Sequence, residues 1–206
     1  PYTGTIEREL DFGKNNDYED IAYVDGIFYV LESDGDLHRF SEEDEESAEK
    51  VETLLESDNN TEGLCYVPDK KQLWIACKDD AGLGGKKIKG YRRVYAWSLE
   101  EERMLGTPVL SIEVEEVATL AQADINFKPS GIAIHPLSKE IYVISAVDRV
   151  LLVFDPAGKE IVHLQSLNYG YFPQPEGICF DDDGKLWIST ENGVGGILAG
   201  FEYLGE

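Results

Sequence analysis

The sequence predicts an all-β fold, a β-propeller of four-stranded antiparallel blades, and three observations lead there. One phrase recurs four times: "DYEDIAYVDGIFYVLES" at 17–33, "NTEGLCYVPDKKQLWIAC" at 60–77, "FKPSGIAIHPLSKEIYVIS" at 127–145 and "FPQPEGICFDDDGKLWIS" at 172–189. Each copy holds two short runs rich in β-branched and aromatic residues around a polar turn, the pattern of a hairpin. Further strand-like runs separate the copies, so each period of roughly 45 residues supplies about four strands, as a propeller blade requires. A β-sandwich could use the same strands but has no need of a repeated phrase. The 206 residues are read as one domain, 1–206.

Taken in order, each copy starts on an acidic or hydroxyl residue, namely Glu19, Glu62, Ser130 and Glu176, at spacings of 43, 68 and 46 residues. Glycine follows in three copies and Asp20 in the first. The first strands are centred on Ile21–Val24, Leu64–Val67, Ile132–Ile134 and Ile178–Phe180. The turns are Asp25-Gly26, "PDKK", "HPLSK" and "DDDGK", and the second strands carry Tyr29, Trp74, Tyr142 and Trp187. Third strands are expected at 36–40, 94–99, 150–154 and 197–203, and fourth strands at 50–55, 108–112 and 160–167. The long interval holds insertions at about 79–93 and 113–126, the second with the helical spacing Val114, Val117, Ala118, Ala121. A short helix over the channel mouth is expected there. Residues 4–10 read as an outer strand with no blade before it, and the last blade stops after its third strand. Either that strand closes a four-blade ring or a further N-terminal blade, on the order of 40–50 residues, is missing; the latter is the expectation here.

Lys and Arg number 18 against 41 Asp and Glu, a formal net charge of −23. Such a field repels nucleic acid and anionic membrane and suits cations or a basic partner. No apolar stretch is long enough to span a bilayer. "SEEDEESAEK" (41–50) reads as a solvated loop. Cys65, Cys77 and Cys179 sit in apolar runs, and equivalent positions in separate blades are too far apart to bridge, so three free, mostly buried thiols are expected. His38, His135 and His163 fall at unrelated places in the repeat, and no Ser/His/Asp grouping or metal-spaced His/Cys cluster occurs.

In a propeller the first strand of each blade lines the axis. The repeat therefore brings Glu19, Glu62, Ser130 and Glu176 together at one end of the channel. Three carboxylates there repel one another unless a cation or donors compensate. Calcium, which takes 6–8 oxygen ligands, is one compensating partner; backbone N–H groups of neighbouring blades are the other. The ends of the second strands, with Glu32, Lys78, Asp79, Ser145, Glu191 and Asn192, fall on the same face and are the expected ligand-reading positions. The insertion "KDDAGLGGKKIKGYRR" (78–93) holds six of the 18 basic residues. It reads as an anion clamp or as a solvated loop offsetting the acidic face.

The phrases "GKNNDYEDIAYVDGIFYVLESDGDL", "EGLCYVPDKKQLWIACKDDAG", "FKPSGIAIHP" and "FPQPEGICFDDDGKLWIS" occur in an order that resembles the SdiA-regulated (YjiK-like) β-propeller family of bacteria, over about residues 5–203. The resemblance implies a cell-envelope protein, periplasmic or lipid-anchored, with five or six blades and no assigned reaction. The Glu-Gly phrase is more distantly similar to that of calcium-dependent gluconolactonase and paraoxonase propellers, but no His stands at a matching position here. Three functional expectations result: a non-enzymatic module binding a small molecule or protein at the channel mouth, with or without calcium; a calcium-dependent lactonase-like hydrolase; and a scaffold.

Overall fold

A computed structural model describes residues 5–6, 8–79, 82–191 and 195–202. Four antiparallel sheets stand around one axis as a four-blade propeller. Blade 1 is β1 (Tyr18–Val24), β2 (Ile27–Glu32), β3 (Leu37–Ser41) and β4 (Asp44–Val51). Blade 2 is β5 (Thr61–Val67), β6 (Gln72–Cys77) and β7 (Tyr91–Ser98), with β8 (Arg103–Met104) and β9 (Leu110–Glu113) sharing the outer edge of β7. A helix, α1 (Val114–Ala121), leads into blade 3, which is β10 (Pro129–Ile134), β11 (Ile141–Ser145), β12 (Val150–Phe154) and β13 (Ile161–Ser166). Blade 4 is β14 (Gln174–Phe180), β15 (Leu186–Glu191) and β16 (Ile197–Phe201).

Period-2 alternation turns each sheet into two packing faces. On β6, Leu73, Ile75 and Cys77 join Leu31 and Leu37 of blade 1, whereas Trp74 and Ala76 join Ile132, Val143 and Leu152 of blade 3. A third core, around Ile144, Val153, Ile178 and Ile188, joins blades 3 and 4. The inner strands pack in the order β1, β5, β10, β14; among the described residues β14 and β1 do not pack on each other comparably, so the seam of the ring lies between blades 4 and 1. The first hairpin turns on Asp25 and Gly26, both at positive φ (49° and 86°), which matches the twist of a two-residue hairpin.

Several expectations change. The charged run 41–50 is not a loop: most of it forms β4, with Lys50 opposite His38 and Glu49 opposite Arg39. An outermost strand faces water on its edge and tolerates charge that an inner strand would not. The described residues of 4–10 form no strand; instead Phe12 stacks on Phe40, ring centroids 4.6 Å apart, and covers the outer face of blade 1. The helix forms as expected, but its one buried side chain, Val117, packs into the core between blades 2 and 3. The basic residues of 78–93 disperse: Arg92 is buried against Asn126, Arg93 donates to Ser111, and Lys86, Lys87 and Lys89 are exposed. They do not form one clamp.

Candidate functional site: the axial channel and its acidic mouth

Each inner strand loses register with its neighbour at its first residues, between Tyr18 and Asp20, Thr61 and Gly63, Pro129 and Gly131, and Pro175 and Ile178. The extra residue in each bulge is Glu19, Glu62, Ser130 and, in blade 4, Glu176 with Gly177. A bulge re-aims a side chain and sharpens the local twist, so the repeated phrase is a repeated bulge. The glycine after it permits close approach of the strands. A Cβ on Gly131 would lie 2.4 Å from the Glu176 carbonyl oxygen, and one on Gly63 would lie 3.0 Å from Gly131 Cα.

The three carboxylates do converge electrostatically. Burial, then repulsion from Glu62, Asp17 and Glu176, pushes Glu19 up to about 7, against partial relief from Lys78. Burial likewise raises Glu62, with Glu176 and Asp79 adding to it, while the Lys78 ammonium opposes the shift through an ion pair and hydrogen bond. Ser130 is buried and its hydroxyl donates to the Pro175 carbonyl at 2.8 Å, joining blade 3 to blade 4. Glu176 accepts from Gln174 Nε2 at 2.7 Å. Among the described residues, no three or more His, Cys, Asp or Glu side chains form a group able to hold a metal ion. In this arrangement Lys78 supplies a positive charge against the carboxylates, a compensating partner other than the calcium and the backbone N–H groups expected from the sequence.

The ends of the second strands fall into separate networks. Glu32 is buried, and although burial opposes it, hydrogen bonds from His38 (2.8 Å) and Lys50 (3.0 Å) hold its carboxyl below the usual range. Asp79 is held low in the same way, against burial, by Lys128 at 2.7 Å and Asn60 at 3.3 Å. Ser145 is fully buried and accepts the Lys128 backbone N–H at 3.2 Å. Glu191 is exposed and pairs with Gln174 across the β14–β15 ladder. Asn192 lies outside the described residues. Of the six, Lys78 and Asp79 therefore join the carboxylates at the axis, whereas Glu32 belongs to an outer cluster with His38, Lys50 and Asp36.

Below the mouth is a cavity of about 570 Å³ lined by all four inner strands and by Trp187, Ser189 and Leu198 of blade 4. Among the described residues its walls are mainly apolar, with Ser189, two tyrosines and two cysteines among them, and they carry one carboxylate, Asp20, which replaces the glycine of the other copies. One Asp20 oxygen accepts the Leu64 N–H at 2.7 Å and the other accepts the Ile21 N–H at 2.8 Å. Burial nevertheless pushes Asp20 up to about 7, and Glu19 adds to the shift. Cys65 and Cys179 also line the space, and burial followed by the Asp20 charge raises both thiols. The three thiols form no disulfide; Cys77 is buried, Cys65 partly so and Cys179 exposed, so the expected burial holds fully for Cys77 alone. Asp20 was the residue that motif reading passed over, and its departure from Gly63, Gly131 and Gly177 was the available signal. His135 is buried in the first hairpin turn of blade 3, where its Nδ1 accepts the Ser138 N–H at 3.0 Å.

No curated protein matches the chain. Among solved structures, hydrazine synthase of Kuenenia stuttgartiensis is similar, with a TM-score of 0.53 and 16% identity over 92% of this chain and 46% of that one. The chain thus spans less than half of that relative, and at such identity the likeness concerns the fold alone. The sequence profile described as SdiA-regulated matches residues 2–194, and the protein belongs to the SdiA-regulated family.

Proposed function

We propose that this propeller is a non-enzymatic binding module of the bacterial cell envelope that takes a small ligand into its axial cavity through the acidic mouth. The cavity carries the reading. At about 570 Å³ it falls in the size range of small-molecule sites, which are mostly apolar with few polar groups. Ile21, Tyr23 and Leu198 line it and are 55%, 51% and 65% exposed, and exposed apolar surface gathered in a groove marks a contact site. Envelope location rests on the family resemblance. The neutral apolar dye Nile red tests the reading: saturable binding near one equivalent is expected. Leu198→Asp should weaken it at least tenfold, and Val162→Asp, on the outer edge of blade 3, should leave it unchanged. Absence of saturable binding, or equal binding by both variants, would remove the cavity as the site.

A second reading keeps calcium, because burial, with repulsion at the mouth adding to it, leaves Glu19 and Glu62 raised even with Lys78 present. Calcium would gather Glu19, Glu62 and Glu176 and release Lys78. A ligand at a hundredfold excess over its Kd adds about 2.7 kcal/mol to stability, so the melting temperature should rise with millimolar calcium, fall with a chelator, and lose this response in Glu176→Gln. A lactonase-type hydrolase depends on that metal and additionally requires lactone or ester turnover that disappears in the same variant. Flat melting curves would dismiss both. With Nile red also unbound, a scaffold remains.

A further inference from the structure

Building on that cavity reading, we infer that its ligand is an apolar organic cation, an amine or amidine on a hydrophobic body, with the positive group set against Asp20. Among the described residues that line it, Asp20 is the one charged side chain, with no Lys, Arg or His beside it. A carboxylate taken from water into apolar surroundings without a counter-charge is costly and favours either protonation or a cationic partner. Linking blades does not require the charge. The Leu64 N–H needs only an acceptor, which a neutral side chain supplies, and the corresponding positions 63, 131 and 177 are glycines.

The surroundings fit the same ligand. Ile21, Leu64, Ile132 and Ile178 offer apolar wall, and Tyr23 and Tyr66 present aromatic rings suited to a cation. Glu19, Glu62 and Glu176 stand at the mouth, and the net charge of −23 concentrates cations there while excluding anions. Lys78 is paired with Glu62 there, and Glu19 and Glu176 leave the mouth negative on balance, so an organic cation is drawn in towards Asp20 and its hydrophobic part covers the exposed Ile21, Tyr23 and Leu198. An apolar anion of the same shape would be rejected at the mouth and again at Asp20.

Calorimetric titration at pH 8 with n-octylammonium, n-octanol and n-octanoate tests this on the intact chain. Octylammonium should bind at least tenfold more tightly than octanol, and octanoate most weakly. Asp20→Asn should bring octylammonium to the level of octanol while octanol itself is unchanged. Alkylation of Cys179, which lines the cavity, should be slowed by octylammonium in the unmodified protein at concentrations where octanol has no effect; this readout does not depend on the variant folding. Equal affinity for octylammonium and octanol, or retention of the preference in Asp20→Asn, would overturn the cation assignment while Nile red binding preserves the cavity. Failure of all three probes together with Nile red would overturn both.

Discussion

The Asp20 carboxyl accepts the Leu64 backbone N–H at 2.7 Å, so an acidic side chain inside the channel joins blade 1 to blade 2. In the other inner strands a glycine occupies the corresponding place; at Gly63 and Gly131 the next inner strand comes close, and at Gly177 the Ser189 side chain of the same blade does.

Stability should fall as pH rises from about 4 to about 7. Asp20 and Glu19 hold their protons in the folded state up to about 7, against 3.8 and 4.5 ordinarily. Within that window the folded state binds more protons than the unfolded chain, so the slope of stability with pH is negative, and the full cost persists above 7. Glu32 and Asp79, held low, act in the opposite sense but only at more acidic pH. The Asp20 contribution is on the order of 2–4 kcal/mol, so the melting temperature should be about 5–10 °C higher at pH 5 than at pH 8. Asp20→Asn should flatten most of that slope. An unchanged slope would show that Asp20 is ionised normally.

Lys78→Met should destabilise by about 1–3 kcal/mol, because it leaves Glu62 facing Glu19 and Glu176 without its counter-charge. Adding Glu62→Gln should restore most of the loss. Urea denaturation of the two single variants and the double variant measures the coupling. Additive effects would mean that the pair is not coupled in solution.

Gly131→Ala should cost about 1–3 kcal/mol by overpacking, since its Cβ would meet a backbone oxygen that cannot withdraw without moving β14. Gly106→Ala, with no atom within 4 Å of its Cβ, serves as the control and should leave the melting temperature within a degree or two.

Thiol reagents should modify Cys179 first, Cys65 more slowly and Cys77 only on unfolding. Exposure sets that order, because burial raises all three thiols and leaves Cys65 and Cys77 alike with almost no reactive thiolate at neutral pH. Mass spectrometry of the native protein over time gives the order directly, and early labelling of Cys77 would contradict it.

The fourfold phrase was legible as a fold because its information is local. Alternation, turn residues such as Asp25-Gly26, and an acid placed before glycine each constrain a few neighbouring residues, and repetition multiplies them into blades. The fourth strand of blade 1 was legible but misplaced: it was expected at 50–55 and runs Asp44–Val51, since a run of charges reads as solvated in any setting and only its place at the outer edge makes it a strand. The convergence of Glu19, Glu62 and Glu176 was foreseen from the repeat, but their balance was not. Lys78 turns onto Glu62, Ser130 turns onto Pro175 and Glu32 joins His38 and Lys50. Those choices are made between side chains from different strands or blades, at distances set only when the blades pack. Asp20 sits on that border: the sequence alone determined that a carboxylate replaces a glycine, and only the tertiary structure decided that it faces an apolar cavity, because the cavity exists only once four inner strands surround the axis.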